Sequence, residues 1–210
     1  MKYIGIPLGM WVLFEKSFRE NLVSELGYNK ITAKQISKNA KNRYKSIIRN
    51  LPEFGKGDQF KTNIVGCAML GAFVLSMPKR PSVDELTEYY SKAIMTRFMR
   101  WLCRQSGKKK FTAKDITEMK KTAELKAADR NPYSWNMDFY EYSDGSGYEG
   151  RFTKCGICVL MKELGLFNLT PAMCRLDYTM SEAGGATNFV RRYTLASGGS
   201  YCDCGYKKKI

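Results

Sequence analysis

The chain has 210 residues, with 35 Lys and Arg, 20 Asp and Glu and no His, so its formal net charge is +15. Hydrophobic residues make up 44% and aromatic residues 13% of the chain, enough to form a buried core. The lack of histidine excludes Ser-His-Asp and Cys-His catalytic groups, and every zinc site that needs imidazole. A base that acts near neutral pH must therefore be a carboxylate with a raised pKa, a lysine with a lowered pKa or a thiolate.

Charge and cysteine are distributed unevenly along the chain. Residues 1–131 contain 26 Lys and Arg against 12 Asp and Glu, a net charge of +14, whereas residues 132–210 contain 9 against 8, a net charge of +1. Five of the seven cysteines lie in the second part. We therefore predict a basic helical region at 1–131 and a cysteine-rich α+β module with the active site at 132–210. No Pro/Gly/Ser-rich linker separates them, which favours one continuous fold.

Helical patterns dominate the first 130 residues. The run 63–77 is uncharged and 15 residues long, shorter than the ~20 residues of a membrane span, so it is predicted to be a buried core helix. Ser82 and Glu85 have the spacing of a capping box, which begins a helix. The helices predicted for this part of the chain lie at 10–26, 32–50, 58–77, 82–105 and 112–128.

A two-residue alternation of apolar and polar side chains replaces the helical period after Pro132. The turn at 144–147 predicts a hairpin, and Pro171 is suited to the first turn of a helix. The predicted order is strands 135–140 and 148–153, helices 155–164 and 171–183, and strands 188–195 and 201–207. The predicted fold class is α+β, an N-terminal helical region packed with a C-terminal antiparallel sheet module of strand-strand-helix-helix-strand-strand order.

The N-terminal segment 1–14 is apolar and superficially resembles a signal peptide. Pro7 and Gly9 interrupt it, charged residues follow at once, and no small-residue cleavage pattern appears. An odd number of cysteines without the spacing of a secreted disulfide framework is typical of a reducing compartment. We therefore predict a cytoplasmic protein with no membrane partner.

Basic residues recur on one face of the predicted helix at 32–50 and in two lysine runs, 108–110 and 207–209. Such a surface can bind phosphate backbones. No recognition helix, zinc finger or RNA-binding aromatic motif accompanies it, so we interpret it as a solvated face and do not expect a nucleic-acid partner. The sequence does not indicate an oligomeric state. The residues of the stripe are Lys30, Lys34, Lys38, Lys41, Lys45 and Arg49.

The late cysteines allow three interpretations. One is a thiolate nucleophile with a carboxylate that handles protons. Another is an all-cysteine metal or iron–sulfur site, and the third is that these residues are simply core. Helical spacing places Cys174 and Asp177 on one face, and strand alternation places Cys202 and Cys204 opposite Asp203. The cysteines concerned are Cys155, Cys158, Cys174, Cys202 and Cys204.

The ordered motifs of residues 148–206 resemble the L-2-amino-thiazoline-4-carboxylic acid hydrolase family. The combination of a Cys-x-x-Asp motif with a terminal Thr-Leu-Ala-x-Gly-Gly-x-x-Cys-Asp motif carries most of the resemblance. The motifs are Phe152-Thr-Lys-Cys155-Gly, Glu163-Leu164-Gly165, Pro171-x-x-Cys174-x-x-Asp177 and Phe189-x-Arg191-x-x-Thr194-Leu195-Ala196-x-Gly198-Gly199-x-x-Cys202-Asp203.

The resemblance implies a hydrolase that opens a small cyclic amidine by adding water at the carbon between nitrogen and sulfur, which gives an N-carbamoyl amino acid. It implies a carboxylate-bearing small-molecule substrate, and we expect no cofactor and no metal. Cys204 stands where the family usually has an aromatic residue, which bears on the identity of the substrate. The matching residues are Cys174, Asp177, Cys202 and Asp203, expected to be catalytic, and Arg191 and Thr194, expected to bind substrate.

Two further roles follow from residue type. Arg191 is expected either to favour a thiolate or to clamp the substrate carboxylate. Gly198 and Gly199 are expected to bind substrate through amides that approach an anionic intermediate, with a plain turn as the alternative. A non-catalytic small-molecule or metal-binding sensor, similar to 4-vinyl reductase-type domains, is the alternative function.

Overall fold

A computed structural model describes residues 1–55 and 57–209 of the protein. Their contacts form two compact units. Unit 1 comprises Met1–Thr96 and Ile157–Met173, and unit 2 comprises Arg97–Gly156 and Cys174–Ile210. Each unit therefore contains two separate segments of the chain. The division into regions 1–131 and 132–210 stays a prediction from composition.

Unit 1 is helical. Helices α1 and α2 pack against α3, in which every residue from Ile64 to Val74 is buried, and α4 packs against α1. The rings of Phe18 in α1 and Phe73 in α3 lie 5.0 Å apart at the centre of this core. The predicted buried core helix is thus confirmed. The run 63–77 carries no charge because α3 is buried on every face from Ile64 to Val74. The helices are α1 (Ile6–Ser24), α2 (Lys30–Asn50), α3 (Lys61–Val74), α4 (Val83–Ile94), and α7 (Gly156–Glu163) and α8 (Thr170–Cys174), which each extend one residue into unit 2.

The helix starts in unit 1 follow the capping signals of the sequence. The Ser82 hydroxyl accepts the Glu85 amide at 3.2 Å, and the Glu85 carboxylate accepts the Ser82 amide at 2.7 Å, so the predicted capping box is present. Asn29 caps α2 by accepting the Thr32 amide at 2.8 Å. These caps satisfy amides that have no partner within the first turn of a helix.

Unit 2 contains the sheet. Its strands are antiparallel throughout and lie in the order β1-β2-β4-β3, which confirms the predicted α+β class. Helix α9 packs against both α5 and β3, and α6 packs against β1. The elements are α5 (Arg97–Gly107), α6 (Ala113–Lys126), β1 (Asn136–Glu141), β2 (Gly147–Lys154), α9 (Leu176–Gly184), β3 (Thr187–Val190) and β4 (Cys202–Lys208).

Two predicted helices are interrupted. The helix predicted at 82–105 ends at Ile94, because the backbone of Met95 leaves the helical region (φ −79°, ψ 53°), and α5 begins at Arg97. No Gly or Pro marks this break, so it has no signal in the sequence. The helix predicted at 171–183 is divided at Arg175 into α8 and α9. Cys174 therefore ends one helix and Asp177 lies in the first turn of the next.

Two further predictions need correction. The strand predicted at 188–195 ends at Val190, because the following amides, Arg192 and Tyr193, donate to the Asp203 carboxylate instead of a neighbouring strand. The helix predicted from residue 155 begins at Gly156. A Cβ atom at Gly156 would lie 2.0 Å from the Tyr133 carbonyl oxygen, so this close approach requires glycine.

Within the described ranges, no helix is long and apolar enough to cross a membrane.

We predict that Gly107→Ala lowers the free energy of unfolding by about 1–3 kcal/mol, because an added methyl group overpacks the contact between α5 and α9. A Cβ atom at Gly107 would lie 2.3 Å from the carbonyl oxygen of Gly184, which is backbone and cannot rotate away. Urea denaturation followed by circular dichroism measures the change. Gly9→Ala in α1 is the control, since no atom lies within 4 Å of its Cβ position and its stability should be unchanged or higher. Equal stability of both variants would contradict the packing argument.

Candidate active site

Strand β4 places Cys202, Cys204 and Tyr206 on one face of the sheet. Cys202 and Cys204 are buried with Phe189, and Phe152 packs against the same cluster. The opposite face carries Asp203, as the predicted alternation requires. The two thiols therefore lie under the helical layer of unit 2, and the carboxylate of Asp203 lies away from them.

Arg191 joins the thiol face to the helices. One terminal nitrogen of its guanidinium donates to the Cys174 carbonyl oxygen at 2.8 Å. The other donates to Asp177 Oδ2 at 2.7 Å and to Cys204 Sγ at 2.6 Å. Only 6% of the Arg191 side chain is exposed. This one cation thus brings together Cys174, Asp177 and Cys204, which are far apart in the sequence.

A cavity of about 260 Å³ lies in unit 2, bounded by α5, α9 and the ends of β3 and β4. Asp177 is one of its lining residues, and 41% of the Asp177 side chain is accessible. Of the residues that the sequence singled out for the site, only Asp177 lines this cavity. The other lining residues are Met99, Leu102, Cys103, Ser106, Gly107, Lys110, Met180, Ser181, Gly184, Thr187 and Tyr206.

The protein environment shifts the pKa of the carboxyl group in this cavity. Burial raises the pKa of Asp177 above its ordinary value, because the recess solvates a carboxylate poorly. The Arg191 guanidinium opposes the rise by its charge and its hydrogen bond. Asp177 is therefore paired with the buried Arg191 guanidinium and also has accessible surface in the cavity. This arrangement suits it to bind a cation or exchange a proton.

Burial also raises the pKa of the thiols behind the cavity wall. The pKa of Cys174 rises to about 12, and the pKa values of Cys202 and Cys204 rise as well. The charge of Arg191 lowers each of them, and the Leu195 amide, 3.1 Å from Cys202 Sγ, stabilises a Cys202 thiolate. Burial outweighs these contacts, so the three groups are neutral thiols at neutral pH.

Lys110, Tyr148 and Asp115 form a hydrogen-bonded chain beside the cavity that the sequence did not reveal. Lys110 Nζ donates to the Tyr148 hydroxyl at 2.7 Å, and this hydroxyl donates to Asp115 Oδ2 at 2.6 Å. Lys110 Nζ also lies 4.4 Å from the centre of the Tyr206 ring. Phe111 follows Lys110 with a left-handed backbone (φ 64°), and its amide donates to Asp115 Oδ2. This unusual conformation for a non-glycine residue fixes the turn that directs Lys110 inward.

Asp203 binds the backbone rather than the cavity. Its two carboxylate oxygens accept the amides of Arg192 and Tyr193 at 2.8 and 2.6 Å. These bonds hold the segment that carries Arg191 after β3 has ended. In this geometry, Asp203 positions the segment that carries Arg191. Its catalytic role stays a prediction.

Thr194, Gly198 and Gly199 belong to the loop between β3 and β4. The Thr194 hydroxyl accepts the Ser197 amide at 3.0 Å and caps a short 3-10 turn. Gly198 has a left-handed backbone (φ 84°), and the Gly199 amide donates to the Thr194 carbonyl at 2.9 Å. These contacts form a closed turn, which would have to open before the glycine amides could bind an anionic intermediate.

The cysteines form no disulfide. Cys155 directly precedes α7, and Cys158 lies within it. Among residues 1–55 and 57–209, no group of three or more Cys, Asp or Glu residues could hold a metal ion.

A small recess with a carboxyl group, its paired guanidinium and adjacent thiols is the kind of site found in enzymes that act on small molecules. The model of the L-2-amino-thiazoline-4-carboxylic acid hydrolase family matches residues 62–206, and the chain belongs to this family. The match begins in α3, well before the motifs of the C-terminal third, and includes the whole cavity. No curated protein and no solved structure matches the chain significantly. Family membership indicates a hydrolase.

We predict that Cys174, Cys202 and Cys204 contribute no thiolate absorbance between about pH 6 and pH 8, below the ordinary thiol pKa of about 8.5, so that replacing any of them by serine leaves the signal in this range unchanged. The physical reason is the burial that raises the pKa of Cys174, Cys202 and Cys204. Ultraviolet titration of the native protein measures thiolate formation, with the unfolded protein as reference. A thiolate signal at neutral pH that Cys202→Ser removes would contradict this prediction and reveal a nucleophile that is ionised before substrate binds.

Proposed function

We propose that the protein hydrolyses a small cyclic amidine that bears a carboxylate, adding water to the C=N carbon to give an N-carbamoyl amino acid. The observation that carries this proposal is the Asp177–Arg191 pair at a cavity of about 260 Å³. Pockets for drug-sized ligands occupy about 300–1,000 Å³, so this cavity suits a smaller molecule. Membership of the hydrolase family supports the same reaction type.

Asp177 has the properties that an amidine substrate needs. The carbon of a 2-amino-thiazoline becomes a good electrophile only when its ring nitrogen is protonated, and the protonated ring is a cation. The Asp177 carboxylate attracts such a cation by its charge, and the accessible 41% of its side chain leaves room for the contact. Arg191 holds Asp177 in place through a 2.7 Å hydrogen bond. Asp177 therefore stabilises the activated substrate.

A cysteine supplies the nucleophile in this mechanism, which requires the substrate to reach past the cavity wall, because neither Cys202 nor Cys174 lines the cavity. The sulfur of Cys202 or Cys174 bonds to the C=N carbon, and its proton passes to the ring nitrogen. The ring carbon–sulfur bond then breaks, and the departing substrate sulfur takes up a proton. Water adds to the enzyme-bound amidine carbon, and the cysteine leaves with its proton restored. The net change is the addition of one water molecule to the substrate.

The neutral state of the thiols fits this sequence of proton transfers. The proton that a thiol must lose is the proton that the ring nitrogen must gain. A neutral thiol and a neutral amidine can therefore react without an external base. This matters because the chain contains no histidine. Direct attack by a water molecule beside Asp177 gives the same product without a bond to sulfur.

We expect metal-free protein to convert L-2-amino-thiazoline-4-carboxylate to a product heavier by one water, measured by mass spectrometry. Cys202→Ser should lose turnover by at least about 100-fold, because a hydroxyl is a far weaker nucleophile than a thiol. Cys174→Ser tests the second sulfur in the same assay. Circular dichroism establishes that each variant is folded.

Cys158→Ser is the control, because Cys158 lies in α7 and is not part of the buried cluster of Phe189, Cys202 and Cys204. Full activity of both Cys202→Ser and Cys174→Ser would contradict the covalent mechanism and favour direct attack by water. No turnover by folded wild-type protein would contradict the proposed substrate. Ligand binding without turnover would then favour the sensor function, which the neutral thiols would also allow.

We predict that activity falls as the pH drops through the pKa of Asp177, because only the carboxylate stabilises a cationic ring. Burial places this acidic limb above the ordinary Asp value of about 3.9. Asp177→Asn should remove the limb and reduce kcat by about 10- to 1,000-fold, as a pH–rate profile will measure. Asp138→Asn is the control, because Asp138 is an exposed residue of β1. An unchanged acidic limb in Asp177→Asn would exclude Asp177 as the titrating group.

A further inference from the structure

We propose that Lys110 binds the substrate carboxylate, so that the cavity selects small zwitterionic heterocycles derived from α-amino acids. Lys110 and Asp177 both line the cavity of unit 2 and carry opposite charges. This inference rests on the proposed function for the identity of the substrate, but it concerns recognition rather than chemistry. It assigns a specificity role to a residue outside the family-like motifs.

Arg191 is not placed to perform this role. It does not line the cavity, and only 6% of its side chain is exposed. Its terminal nitrogens already donate to the Cys174 carbonyl, Asp177 and Cys204. A substrate carboxylate could reach this guanidinium only by displacing Asp177, which would remove the carboxylate that holds the cationic ring.

Lys110 has the free capacity that Arg191 lacks. Its ammonium group has three N–H donors. The Tyr148 hydroxyl accepts one of them at 2.7 Å, and the nearest Asp115 oxygen, 3.9 Å away, is beyond hydrogen-bond distance. No other cation is among the cavity-lining residues in the described part of the chain.

The surroundings of Lys110 hold its ammonium group at a fixed position. The ammonium group lies above the Tyr206 ring. The Tyr148 hydroxyl accepts a hydrogen bond from this group and donates one to Asp115. Burial lowers the pKa of Lys110 by disfavouring its charge, while Asp115 opposes this change. A bound carboxylate would complete the hydrogen bonding of the ammonium group and offset the cost of its desolvation.

Lys110 and Asp177 together explain why an amidine amino acid would fit. Tyr206 lies close to both charges. Its ring centre is 4.4 Å from Lys110 Nζ, and burial followed by the charge of Asp177 raises the pKa of its hydroxyl. A substrate with one carboxylate and one amidine places an anion at Lys110 and, once the ring nitrogen has taken up the thiol proton, a cation at Asp177. A neutral carboxamide or a decarboxylated ring gives Lys110 no anion besides Asp115, which lies 3.9 Å away.

The test compares two probes, L-2-amino-thiazoline-4-carboxylate and 2-amino-thiazoline, which differ only by the carboxylate. We expect Lys110→Met to weaken calorimetric binding of the first probe by about 10- to 100-fold, the usual range for a charge-assisted hydrogen bond. Binding of the second probe should change by less than about threefold. Lys110→Arg, which keeps the charge, should recover part of the affinity.

Lys109→Met is the matched control, because Lys109 is exposed and adjacent in the same lysine run. Equal loss of affinity for both probes in folded Lys110→Met would overturn the proposal, as would unchanged affinity for the carboxylate probe or no binding of it by wild-type protein. Binding is measured separately from turnover. Carboxylate-dependent binding without hydrolysis would therefore contradict the proposed reaction and still support the role of Lys110.

Discussion

The guanidinium of Arg191 is the contact on which the site depends. It binds the end of α8, the start of α9 and the middle of β4 through Cys174, Asp177 and Cys204. A buried guanidinium is costly unless its donors have partners, so these three groups and the cation stabilise one arrangement together. Arg191 reaches them because the chain leaves β3 at Val190, and Asp203 stabilises that departure by accepting the next two amides. The carboxylate on the far face of β4 therefore positions the cation on the near face.

The cavity has a different physical origin, in the close approach of two backbones. Gly107 near the end of α5 and Gly184 at the end of α9 lie so close that a side chain at the first would meet the second. The helices come together at this point, and the side chains of Met99, Leu102 and Met180 line the space beside it. Glycine at the contact and longer side chains next to it produce a recess of limited volume. This is why the site suits a molecule smaller than a drug-sized ligand.

Part of this site could be predicted from the sequence. Strand alternation separated Cys202 and Cys204 from Asp203, and the Cys-x-x-Asp spacing brought Asp177 close to Cys174, although a break at Arg175 replaced the expected continuous helix. Lys110 could not be found in this way. It is the third of three consecutive lysines, and what distinguishes it is the left-handed backbone of Phe111 and a contact with Tyr148, distant in the chain. Local patterns predict which face a residue occupies, whereas long-range contacts decide which of several identical residues enters a cavity.

The lack of histidine determines how the remaining groups must work. Without imidazole, a protein can activate a thiol by surrounding it with cations, but here burial outweighs Arg191 and raises the pKa of each clustered thiol. In the proposed mechanism, the driving force for ionisation comes from the substrate. An amidine provides it, because the ring nitrogen is basic and becomes a cation that Asp177 can hold. A molecule without a basic C=N group would leave the thiols protonated and unreactive. Under the proposed mechanism, the environment of the cysteines and the carboxylate in the cavity would therefore favour the same chemical group.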